Sequence, residues 1–299
     1  MTATHADEGS DPIRAARAAL RVERRRVVDE REALRAFRGR VSSIPDESGS
    51  ADPSDSAAVD GVGGAGVGIR GTMAGPEGAA PGAASPGSPL AAVRDAYRAT
   101  VMSVPHYEAE YDDTYERSVA EEFGPELAYA LTRTDSFHEA YKRSLLSAVE
   151  TAIQEREAFL DAVGSEIESV ERAGSRLDPI RSEIEAIDDE LGVGDGQAKE
   201  RDGDGDRDGE RAAPTFGALD ACRTRIDSLR DDCDRVAARR QRAVADNERR
   251  LALDDGFDLP TYCYQDLDAT YPVLTAVGAV GADLDALRRR IERSMGRAR

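Results

Sequence analysis

Tryptophan is absent from the 299 residues, lysine occurs only as Lys142 and Lys199, and there are three cysteines and three histidines. Each shortage closes off a class of chemistry. Cys222, Cys233 and Cys263 are too few and too unevenly spaced for a disulfide framework or a zinc knuckle, and they read as small buried hydrophobes or free thiols. Lys142 is the single lysine outside the two low-complexity segments described below, so Schiff-base chemistry and phosphate-loop binding lack their usual residue. There is no Gly-x-Ser-x-Gly elbow, and nothing singles out two of the many carboxylates as an acid and base pair. No stretch approaches the roughly 18 apolar residues of a membrane span, and "MTATHADEGSDP" has no cationic start followed by an apolar run. Alternating strand patterns are missing as well. The expectation is a cytoplasmic, non-enzymatic protein with no cofactor and no membrane span.

What is present is charge. Acids outnumber bases 59 to 40, for a formal net charge of -19. An acid excess combined with so little lysine points to a salt-rich cytoplasm of the halophilic kind. At about 1 M salt the screening length falls to about 3 Å, so a crowd of surface carboxylates repels weakly while still holding water.

The apolar residues fall into heptads. Ile13, Leu20, Val27, Leu34 and Val41 stand seven apart, after an Asp11-Pro12 start suited to an N-cap and first helical position. The partner positions Ala16, Glu23, Glu30 and Phe37 make that seam half polar. Val163, Val170, Leu177, Ile184 and Leu191 repeat the pattern, flanked by Ile153, Leu160, Ile167, Ile180 and Ile187, with a kink or short break expected at Gly174 and Asp178-Pro179. A third helix carries Leu219, Ile226, Cys233, Cys222, Leu229, Val236 and Ala243 and is expected to reach about Leu253. The last begins at Pro272, with Val277, Leu284 and Ile291 on one face. Residues 12–41 hold ten arginines and four acids, whereas residues 105–191 hold eight bases and 23 acids, so these helices attract one another. The fold expected is all-α, an antiparallel helical bundle with long coiled-coil-like helices.

Between the helices lie two segments expected to be disordered linkers, residues 42–88 and 192–213. The full division is a tail at 1–11, a helix at 12–41, the first linker, a central helical region at 89–191, the second linker and a C-terminal helical region at 214–299, together one bundle. Gly66, Gly68 and Gly71 match a dinucleotide fingerprint, but no strand precedes them and no helix follows. Asp204, Asp206, Asp208 and Gly209 begin a calcium-loop pattern whose closing glutamate position is Thr215.

Two aromatic-rich stretches exceed what helix packing asks for. In "VPHYEAEYDDTYERSVAEEFG", Tyr107, Tyr111, Tyr115, Val119 and Phe123 recur every four residues, as on one winding face of a helix that ends at Gly124-Pro125, with Thr134 placed to cap the next. The second stretch, "DDGFDLPTYCYQDLDATYP", carries Tyr262, Tyr264 and Tyr271. Both either cap a bundle end or present a partner surface, for another protein or a second copy. His106, Glu110 and Asp113 fall at helical spacing and are the candidate metal ligands; Asp135 and His138 make a looser pair, and a second Glu-x-x-His unit is missing. Three arginine clusters, Arg21 with Arg24, Arg25 and Arg26, then Arg239, Arg240 and Arg242, then Arg288, Arg289, Arg290 and Arg293, make a nucleic-acid-associated regulator the alternative to an interaction or scaffold protein.

The strings "ERRRVVDEREALRAFRGRV", "VPHYEAEYDDTYERSVAEEFGPELA", "AIQEREAFLDAV" and "DLPTYCYQDLDATYPVL" resemble an uncharacterised haloarchaeal family of helical proteins, a domain-of-unknown-function family. That resemblance implies a halophilic archaeal source and carries over no activity, cofactor or site residue.

Overall fold

Asp11 starts the first helix by accepting a hydrogen bond from the Ile13 amide at 3.1 Å, one residue ahead of Pro12, whose missing N–H would have gone unpaired there in any case. The computed structural model describes residues 11–45, 88–134, 136–192, 214–250 and 258–297. Among them are nine α-helices and no strand. Helix α1 is Pro12–Ser43, α2 Pro89–Arg98, α3 Tyr107–Glu110, α4 Tyr115–Phe123, α5 Pro125–Arg133, α6 Glu139–Gly192, α7 Phe216–Arg250, α8 Leu259–Cys263 and α9 Pro272–Arg297. Ser88 caps α2 by accepting from the Ala91 amide, as a serine before Pro89 should. The motif at Gly66, Gly68 and Gly71, the run from Asp202 to Glu210, His5, Asp135, Lys199 and Leu253 lie outside the described residues, as does most of both linker segments.

The chain divides into two compact units, residues 1–25 with 159–299 and residues 26–158, and α1 and α6 contribute to both. In the first unit the heptads close on one another as apolar seams. Leu20, Val163, Val170, Leu177, Ile187, Ile226 and Leu284 are all essentially inaccessible and belong to one core cluster. Arg230 pairs with Asp285 and Arg288 with Asp227, so α7 and α9 run antiparallel. Arg225 with Glu183 and Arg240 with Glu166 set α6 and α7 antiparallel in the same way. In the second unit Leu34, Phe37 and Val41 of α1, with Ile44 just beyond it, meet Leu145, Val149 and Ile153 of α6, and Arg35 pairs with Glu157. Tyr97 stands among Phe37, Tyr115 and Phe123, its ring 5.2, 5.6 and 5.9 Å from theirs, and α4 folds back on α5. Lys142 donates to the Ile44 carbonyl at 2.6 Å, tying residues just past α1 to α6.

Three local expectations need correction. Helix α6 passes Gly174 and Pro179 without ending. A mid-helix proline forfeits one hydrogen bond and crowds the preceding turn, but Ala173, Leu177 and Ile180 around it are buried, and that burial outweighs the local loss. Gly174 serves packing, because a Cβ there would stand 3.0 Å from an Arg17 nitrogen and 3.1 Å from an Ile13 methyl. The opening tyrosine stretch is two helices, not one. Asp112 takes a left-handed turn at φ 43°, and Thr114 begins α4 afresh by accepting from the Arg117 amide. Thr134 does not start α6; its hydroxyl donates to the Ala130 carbonyl at 2.6 Å and closes α5.

Candidate functional site

Glu23 and Glu30 are the two polar members of the α1 seam, and each is a docking point for an aromatic stretch. Around Glu30, in the second unit, one carboxylate oxygen lies 3.1 Å from His106 Nε2 and accepts from the Tyr111 hydroxyl at 3.2 Å. Its other oxygen accepts from Arg156 Nε at 3.3 Å, and Arg156 also donates to Glu122 at 2.8 Å. The second Glu122 oxygen is buried and has no partner among the described residues, and desolvation pushes the Glu122 carboxyl above its usual range. Beside these groups is a cavity of about 120 Å³ whose lining includes Glu30, Tyr97, Tyr107, Tyr111, Glu122 and Arg156. The Tyr97 hydroxyl is satisfied by Ser118 at 2.9 Å, and burial pushes Tyr97 up. The same cause takes Tyr115 up to about 12.

Around Glu23, in the first unit, Tyr262 donates its hydroxyl at 2.9 Å and sets its ring edge-on to Phe159 at 5.7 Å. Two residues on, Tyr264 is fully buried and donates to Glu166 at 2.6 Å. Glu166 is itself inaccessible and takes both terminal nitrogens of Arg240, with Asn247 at 3.4 Å and Ser169 receiving from Arg240 at 3.2 Å. A buried ion pair of this kind needs its remaining hydrogen-bonding capacity satisfied, and Tyr264, Asn247 and Ser169 supply most of it, leaving the buried Arg240 Nε without an acceptor among the described residues. Burial, together with the Glu23 and Glu166 carboxylates, pushes the Cys263 thiol up to about 12. All three cysteines are free, with Cys222 and Cys233 buried.

The aromatic residues singled out in the sequence therefore fall into two sets. Tyr107, Tyr115 and Tyr264 are buried and Phe123 lies against the core. Tyr111, Tyr262 and Tyr271 expose 46%, 41% and 40% of their surface. The candidate metal ligands do not converge: His106 faces Glu30, Glu110 pairs with Arg26 at 2.7 Å, and Asp113 pairs with Arg117 at 3.1 Å. Among the described residues no three His, Cys, Asp or Glu side chains are grouped so as to hold a metal ion. The arginine clusters are divided too. Arg26, Arg240, Arg288 and Arg290 are engaged by carboxylates, whereas Arg21, Arg24, Arg25, Arg242, Arg289 and Arg293 are exposed. No helix among the described residues is long and apolar enough to cross a membrane.

Sequence reasoning missed Glu122, Arg156, Glu166 and Asn247. The available signal was a charged residue standing one place from a heptad apolar position, as Glu166 stands beside Ile167, but exposed residues give the same signal.

Residues 11–288 match the model of a family described as Domain of unknown function (DUF7260). No curated protein and no solved structure matches the chain.

Proposed function

The chain belongs to that family of unknown function, and from its own geometry we propose that it is a non-enzymatic interaction protein whose contact points are tyrosines held ready by the acidic seam of α1. The observation that carries this is the pairing of Glu23 with Tyr262 and of Glu30 with Tyr111. In each unit a seam position that apolar packing would fill with leucine instead accepts a tyrosine hydroxyl, while that tyrosine leaves over 40% of its surface in solvent. An aromatic ring with its polar end already tied loses little conformational freedom on binding, which is what a contact residue needs. The partner is another protein or a second copy of this chain.

The acid surplus and the near absence of lysine support a salt-rich cytoplasm of a halophilic archaeon as the setting, and the buried heptad positions support coiled-coil-like seams. In such salt, contacts made by aromatic surface persist where exposed ion pairs weaken. The test is co-isolation of a tagged chain at the cell's own salt, with and without nuclease, alongside the Tyr111→Ala, Tyr262→Ala, Tyr271→Ala triple variant. A stoichiometric partner that survives nuclease and is lost from the variant is the expected result. A partner set that vanishes with nuclease would overturn it in favour of the second reading, a nucleic-acid-associated regulator, which rests on exposed Arg21, Arg24 and Arg25 along one helix.

A further inference from the structure

Helices α6 and α7 leave an open cavity of about 110 Å³ between them, and its lining is basic. Ser169, Arg172, Ala173 and Arg176 come from α6, and Val236, Arg239, Arg240 and Ala243 from α7. Both sets are spaced zero, three, four and seven, which is one face of each helix. The small side chains of Ser169, Ala173 and Ala243 sit where larger seam residues would close the gap, and the arginines ring the space they leave.

We propose that this cavity binds a tetrahedral oxyanion, either inorganic phosphate or the terminal phosphate of a small organic ester. Four features carry the assignment. Arg240 is fixed in one place by its bidentate contact with Glu166, and it is 2% exposed. Its Nε is buried and has no acceptor among the described residues, so a guanidinium in the lining of the cavity carries one unpartnered donor. Ser169 accepts from Arg240 at 3.2 Å, which leaves its own hydroxyl proton free to point at an anion. Arg176 and Arg239 are exposed and make no ion pair among the described residues, while Arg172 is held on one side by Glu168 at 3.2 Å. Guanidinium groups converging from two helices, together with a hydroxyl, match the charge and the several acceptor oxygens of a phosphate.

The neighbouring cleft gives an ester's organic part somewhere to lie. Arg176 and Val236 also line a second cavity of about 440 Å³ that continues past Pro179, Ile180 and Leu229. Its walls carry Glu183, Asp232 and Arg235 beside those apolar side chains, so it suits a small polar body better than a lipid chain.

The test is calorimetric titration of the full chain, in a fixed chloride medium, with inorganic phosphate and with glycerol 3-phosphate. Saturable binding of either is expected. Tighter binding of phosphate assigns the site to the free ion, and tighter binding of the ester places its glycerol in the adjoining cleft. Because Arg176 and Arg239 are exposed, the Arg176→Gln, Arg239→Gln double variant keeps its helix content and melting temperature, and its affinity falls about tenfold or more. The proposal is overturned if neither probe binds at millimolar concentration, or if the double variant binds as well as the parent chain. Binding of an oligonucleotide that lacks a terminal phosphate, with no binding of either probe, would also overturn it and return these arginines to the nucleic-acid reading.

Discussion

Removing Arg240 strands a carboxylate. Glu166 would remain inaccessible with only Tyr264 and Asn247 to bond it, so Arg240→Ala should destabilise the protein by about 3–5 kcal/mol, measured by urea unfolding at constant salt. A loss under 1 kcal/mol would show that the pair is not desolvated in solution. Cys263 makes a second prediction at this scale. Its thiol is raised from 9.0 to about 12, so the folded chain keeps the proton through a window in which the unfolded chain has lost it. That contribution is fully present below about pH 9 and is lost as the pH rises to about 12. Cys263→Ala should therefore flatten the fall in stability across that window, read from melting temperatures at stepped pH. The residue scale is also where the sequence was least legible. The heptad spacing shows Glu23 and Glu30 as polar seam positions, but their partners Tyr262 and Tyr111 lie 239 and 81 residues away, and nothing local marks a hydroxyl as the intended neighbour of a seam acid.

Element by element, the long helices were readable because their apolar positions repeat over many turns, and Ile13, Leu20, Val27, Leu34 and Val41 are all buried. The short ones were not. A four-residue aromatic stripe is satisfied equally by one helix or by two with a turn between, and Asp112 settles the matter with a left-handed conformation that spacing cannot encode. Local breakers misled in the other direction at α6, where Gly174 and Pro179 read as a kink or a short break and the helix runs on without the break. Pro179 is exposed and lies within a continuous helix, so Pro179→Ala restores one backbone bond to the Ser175 carbonyl and should stabilise by about 1–3 kcal/mol in urea unfolding. Gly174→Val tests the packing role. The added side chain meets Ile13 and Arg17 at the α1 face and should destabilise by about 1–3 kcal/mol, while the same change at Gly164, where a Cβ meets nothing within 4 Å, should cost only the smaller helix-propensity difference. Equal effects at the two glycines would remove the close approach from the account.

On the scale of the whole molecule, the division into two units was invisible because the registers of α1 and α6 run unbroken through both. The opposite charges of the two helices did foreshadow their pairing, through Arg35 with Glu157 and Arg38 with Glu150, although exposed pairs of this kind add little stability each. The larger claim is that the acids of the α1 seam hold tyrosines out for a partner. It can be read directly by oxidative footprinting of the tyrosines, with mass spectrometry, on the purified chain and on the chain in a cell extract at native salt. The account predicts that Tyr97, Tyr107, Tyr115 and Tyr264 resist modification in both samples. Tyr129, which is 66% exposed, should be modified in both, and Tyr111, Tyr262 and Tyr271 should be modified in the purified chain and protected in the extract. Equal modification of those three in both samples would contradict it.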